Sequence, residues 1–110
     1  MDMEQDDLIP EDISMKDLQN YVWRINQERG FNLTDPSKKL VMLMEEVGEL
    51  AKAVRKESGM KFSRTTTRTN IEDELADVQI VLLGLAGICG VDMVAAVAKK
   101  EIENRRREWK

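Results

Sequence analysis

The sequence predicts an all-α protein, a four-helix bundle-like subunit that assembles into a homo-oligomer. Three observations carry this expectation. Strong helix formers (Leu, Ala, Met, Glu, Lys, Arg) dominate a chain of 110 residues that holds only two prolines and six glycines. Apolar residues recur at helical spacing, as at Met15, Leu18, Val22 and Ile25. Caps and breakers then divide the chain into four segments of helical length.

The elements follow in order. Residues 1–13 read as an acidic, flexible tail. Residues 1–12 hold six acids and no base, so a net charge of −4 leaves +2 on the remainder. Residues 14–110 form one domain, the most that this length supports. The first helix starts at Ser14, an N-cap with Asp17 three residues on, and stops near Gly30. The second opens on Asp35-Pro36, cap and first-turn proline, and runs to Glu57 before Ser58-Gly59. Residues 58–70, rich in Thr, Ser and Arg, read as a basic loop. Asn70 is expected to cap the third helix, which Gly90 ends, and Asp92 to cap a fourth that reaches the C-terminus. The third helix changes character halfway, from IEDELAD to VQIVLLGLAGIC. A helix apolar all round must be buried all round, and four short helices can hardly enclose it. This is the reason to expect further copies of the subunit.

Composition narrows the partners. No basic surface interleaved with aromatics appears, which argues against a nucleic-acid polymer. The apolar run from Val78 to Cys89 is far shorter than the roughly 20 residues of a membrane span, and no signal peptide is evident. Cys89, the single cysteine, is expected to be a small buried hydrophobe in a reducing, cytoplasmic setting.

Two helices carry acids in the same layout. Glu46 and Glu49 stand three apart on the second, Glu74 and Asp77 three apart on the third, so each pair lies on one helical face. Ionised together they repel unless a cation neutralises them. Acids spaced this way are common on solvated faces, and Glu72 and Asp73 are explained as first-turn acids favoured by the helix dipole. The apolar neighbours Leu43, Met44, Val47 and Leu50, and Leu75, Val78 and Val81, place the two pairs at the border of the core instead. An all-oxygen set suits Mg²⁺ or Mn²⁺, and a chain without histidine has no imidazole ligand for zinc or a di-iron centre.

The string LMEEVGEL, a loop, then EDELADVQIVLLGLA resembles the MazG-like all-α nucleotide pyrophosphohydrolases, from about Leu18 to Trp109. The family signature, Glu-x-x-Glu on one helix and Glu-x-x-Asp on the next, is matched by Glu46, Glu49, Glu74 and Asp77 as metal ligands. A Lys, an Asn and an Arg on the last helix are matched by Lys100, Asn104 and Arg107, which spacings of four and three would put on one face. The resemblance implies cleavage of (d)NTPs between the α and β phosphates, giving (d)NMP and pyrophosphate in nucleotide-pool house-cleaning. Glu49 is the first choice for general base and Glu45 the second. Lys100 and Arg107 would hold phosphates, and Lys52, Arg64 and Arg68 are within reach of them, although those three also read as plain surface charges. Gln19 and Trp23, four apart, would offer the base an amide and a stacking face, unless Trp23 is simply core. Phosphoribosyl-ATP or dUTPase-like hydrolysis on the same fold is the alternative chemistry. A non-catalytic helical interaction module is the alternative class.

Overall fold

The computed structural model describes residues 9–31, 33–58 and 68–107. The first eight residues of the acidic tail, the basic loop from 59 to 67 with Arg64, and Trp109 lie outside the described residues. Four helices follow one another: α1 Met15–Glu28, α2 Pro36–Glu57, α3 Arg68–Ile88 and α4 Met93–Arg106. No other regular structure occurs among the described residues, as the sequence predicts.

Local hydrogen bonding fixes the helix ends. Ser14 Oγ accepts from the Asp17 N–H at 3.0 Å, Asp35 from the N–H groups of Ser37 and Lys38 at 2.9 and 3.3 Å, and Asp92 from Ala95 at 3.2 Å. Both α1 and α3 stop in the same motif. Gly30 and Gly90 take φ of +70°, which lets Phe31 N–H reach the Asn26 carbonyl and Val91 N–H the Ala86 carbonyl, each at 2.9 Å.

Two boundaries differ from the expectation. Asn70 lies inside the first turn of α3 rather than capping it, because the helix already begins at Arg68. Its side chain is thereby free of cap duty and faces α2. At the other end α4 closes at Arg106, and Arg107 is extended at φ −74° and ψ 150°. Arg107 therefore does not share a helical face with Lys100 and Asn104.

The antiparallel pair α2/α3 is the frame of the fold. Contacts run in opposite chain directions: Ala53 meets the turn of Asn70, Glu46 meets Glu74 and Asp77, and Lys39 meets Gly84. One stripe of α2 faces inward at spacings of three and four, namely Lys39, Leu43, Glu46, Leu50 and Ala53. Small residues set the approach. A β-carbon on Gly84 would sit 3.1 Å from the Asn26 amide nitrogen and 3.6–3.7 Å from the end of the Lys39 chain. The missing side chain thus makes room for two buried polar groups, Asn26 and Lys39. Helix α1 lies on α3, with Trp23 pressed on Gly87.

The last helix departs from a plain bundle. It leaves α3 at 94° and rests on α1 rather than folding back antiparallel. The Gln19 side chain holds this corner by donating to the Val91 carbonyl at 2.7 Å and accepting from the Met93 N–H at 3.0 Å. Among the described residues no single helix is long and apolar enough to cross a membrane. Cys89 is exposed, against the expectation of burial, because α3 ends at Ile88 and Cys89 lies in the turn that follows it.

The Trp23 contact yields the first prediction. A β-carbon on Gly87 would come within 2.5 Å of the Trp23 ring, so Gly87→Ala should destabilise the fold by about 1–3 kcal/mol. Adding Trp23→Leu should recover much of that loss, because the two sites share one contact. Urea unfolding of the two single variants and the double variant measures the coupling. Additive losses would remove the packing argument.

Candidate metal centre

Three of the four carboxylates singled out by spacing converge. Glu46 on α2 and Glu74 and Asp77 on α3 each present an oxygen within 4.8 Å of the others. Glu46 and Glu74 are half-buried and Asp77 is exposed, so the cluster sits at the rim of the α2/α3 seam. None of the three forms an ion pair with a described residue. Octahedral Mg²⁺ takes oxygens at about 2.1 Å, which puts two trans ligands about 4.2 Å apart. The cluster fits such an ion with small side-chain adjustments.

The fourth carboxylate, Glu49, stands beside this trio. It is exposed, lines a cleft of about 180 Å³ with Glu74, and contributes to the field at Glu74. Partial desolvation, then the charges of Asp77, Glu49, Glu46 and Asp73, push the Glu74 carboxyl above its ordinary value. Glu45 is exposed on the neighbouring stripe of α2 and is outside the trio.

The remaining residues distribute unevenly. Lys52 faces the Glu49–Glu74 cleft, together with Lys56 and Asn70, which the sequence reading did not assign to a site. Their signal was present but faint: Lys56 continues the stripe of Glu49 and Lys52, and Asn70 stands four residues before Glu74. Lys100 pairs with Glu103 at 3.3 Å on an exposed face, an arrangement worth little energy. Asn104 is half-buried and its carbonyl accepts from Arg107 N–H at 3.3 Å. Lys100, Asn104 and Arg107 do not line the carboxylate cleft.

Gln19 and Trp23 do share a hollow, of about 270 Å³, with Lys16, Asn20, Gly87 and Asp92. The Gln19 amide is committed to the α3–α4 corner on both sides. Gly87, which carries the Trp23 ring, lies ten residues beyond Asp77 on α3, about 15 Å along the helix. The structure therefore places the stacking face and the carboxylates at separate ends of α3.

Comparisons with known proteins agree with the all-helical fold. Residues 25–108 match the family described as the MazG nucleotide pyrophosphohydrolase domain. The chain belongs to that family. Over 76 residues, 66% of this chain, it is 40% identical to the human (Homo sapiens) dCTP pyrophosphatase 1 and 38% identical to the bovine (Bos taurus) one. It spans 45% of the length of those relatives. Among solved structures it resembles YPJD of Bacillus subtilis, named as a candidate pyrophosphatase, with a TM-score of 0.75 at 28% identity. That match covers 90% of this chain and all of the other. It also resembles iMazG from Vibrio DAT 722, with a TM-score of 0.61 at 25% identity, covering 89% of this chain and all of the other.

The raised Glu74 carboxyl gives a prediction with a definite sign. Its proton is held more tightly in the folded state, so this group favours folding below its ordinary value of 4.5 and ceases to do so as pH rises through the raised one. Without divalent cations, Glu74→Gln should therefore be at least as thermally stable as the wild type at pH 7. The gap should narrow as pH falls toward 4.5. With Mg²⁺ at millimolar levels the wild type should gain stability and the variant should not. Equal Mg²⁺ stabilisation of both proteins would remove Glu74 from the metal centre.

Proposed function

We propose that this chain hydrolyses nucleoside triphosphates between the α and β phosphates, releasing a monophosphate and pyrophosphate, with Mg²⁺ or Mn²⁺ held by Glu46, Glu74 and Asp77. Glu49 completes the carboxylate set from one turn along α2. The observation that carries the reading is the convergence of three carboxylates from two helices, without a counter-ion, at the rim of a polar cleft. When bound, the cation neutralises phosphate oxygens and lowers the pKa of a water in its shell. Glu49 faces the cleft from outside the trio, which leaves it the means to take a proton from the attacking water. Glu45, one residue off the stripe, is the second choice. The relatives named dCTP pyrophosphatase 1 support a (d)NTP substrate, and with it a house-cleaning role in the nucleotide pool.

The distance between the two ends of α3 supports a homo-oligomer. A site that uses both the carboxylates and the Trp23 face, or the Lys100–Asn104 face of α4, is completed by a neighbouring copy. Exposed apolar residues are in place for such contacts: Leu40, Met44, Val47 and Val54 along α2, Ile80 on α3, and Val97 and Ile102 on α4.

A panel of (d)NTPs, nucleoside diphosphates and phosphoribosyl-ATP, each with Mg²⁺, should give monophosphate and pyrophosphate from at least one triphosphate. A strong preference for dUTP or phosphoribosyl-ATP would move the protein to those alternatives. Release of orthophosphate alone would overturn the proposed cleavage position, and no turnover with any compound would overturn the proposal in favour of a helical interaction module. Glu49→Gln should lose about 10²-fold or more in kcat while remaining helical by circular dichroism.

A further inference from the structure

The cleft beside the carboxylates has two chemically distinct ends. Along α2, Glu49, Lys52, Ala53 and Lys56 occupy one stripe at intervals of three, one and three residues, and all four line the cleft. Opposite them on α3 stand Asn70 and Glu74, four residues apart. Ala53 is buried at 6% exposure and forms the floor, so the helices approach closely enough for both rows to face one volume. Acid groups gather at one end, where Glu49 and Glu74 continue into Glu46 and Asp77. The other end is lined by two ammonium groups and an amide.

The ammonium groups are the informative part. Neither Lys52 nor Lys56 forms an ion pair with a described residue, although carboxylates line the same cleft. Complementation of the α2 dipole explains a base in the last turn, where Lys56 lies, but not Lys52, a full turn earlier. Lys56 is also half-buried, unlike a lysine placed only for solubility. The cleft opens at the N-terminal turn of the 21-residue α3, whose dipole favours an anion there.

We infer that Lys56 and Asn70, with Lys52, seat the part of the polyphosphate that leaves as pyrophosphate, so that the nucleotide lies with its α-phosphate at the carboxylates and its β and γ phosphates toward the C-terminal end of α2. This deepens the proposed hydrolysis and rests on it for the orientation. It also divides the work among the basic residues. The phosphate tail is held by the same chain that supplies the carboxylates, and α4 is left for other contacts.

Isothermal titration with magnesium pyrophosphate tests the seat without relying on turnover. Wild type should bind it, while Lys56→Gln and Asn70→Ala should each weaken binding about tenfold or more, the scale of one hydrogen bond to a charged group. Lys56→Arg should restore most of the loss. The constant for the nucleoside monophosphate, and the Mg²⁺ titration of the apo protein, should stay within about twofold of wild type in all three variants, and so should helicity. Equal weakening toward monophosphate and pyrophosphate, or unchanged pyrophosphate binding in both variants, would overturn the seat. Absence of triphosphate hydrolysis by a wild type that still binds pyrophosphate through Lys56 would instead overturn the proposed reaction and leave the anion seat standing.

Discussion

Carboxylate crowding between α2 and α3 is the constraint around which the fold is organised. Glu46, Glu74 and Asp77 approach within 4.8 Å and Glu49 stands close by, so the helix pair brings together groups that repel when ionised. Such an arrangement persists only when the surrounding packing over-determines it. The inward stripe of α2 supplies that packing on both sides of the acids, with Ala53 one way and Leu43 and Lys39 the other. Gly84 and Gly87 let the side chains of α1 and α2 come down onto α3. The register that results leaves the acids at the rim, where a cation from solvent can reach them.

The same register leaves several apolar faces of the chain uncovered. Antiparallel pairing of α2 and α3 consumes one face of each, and α1 covers part of what is left of α3. The 94° turn into α4 then carries the last helix onto α1 and away from any closing position in a four-helix bundle. What remains is an apolar exterior on three helices that water does not favour. The apolar second half of α3 and the split between its two ends are the two features that the proposed homo-oligomer would account for, by burying the first and bridging the second.

The features legible in the sequence were those set by local chemistry. Ser14, Asp35 and Asp92 cap helices because a short side-chain oxygen reaches N–H groups two or three residues on, and Gly30 and Gly90 end them because φ near +70° excludes most side chains. The carboxylate pairs were legible because a spacing of three fixes a face. What the sequence concealed depends on partners far along the chain. Gln19 reads as a free amide until Val91 and Met93, more than seventy residues away, are seen to occupy both of its ends. Lys56 drew no reading of its own and Asn70 reads as a cap until the register sets them across one cleft. Arg107 matched a spacing that holds only while the helix continues, and the helix stops one residue short of it.

Lysines and carboxylates that share a cleft ordinarily neutralise each other, and here they do not. If Lys52 and Lys56 paired with Glu49 and Glu74, the cleft would be electrically satisfied and would have little affinity for either a cation or an anion. Keeping the charges apart, acids at one end of an α2 stripe and amines at the other, stores attraction for a ligand that is itself divided. A metal-bound polyphosphate, the ligand proposed above, is divided in this way: the acids would hold its cation and the amines would face its remaining oxygens. On the proposed reaction, pyrophosphate would carry most of that second charge away, and the end that seats it would also govern its release. The proposed seat at the basic end of the cleft would therefore bear on product release as much as on substrate binding.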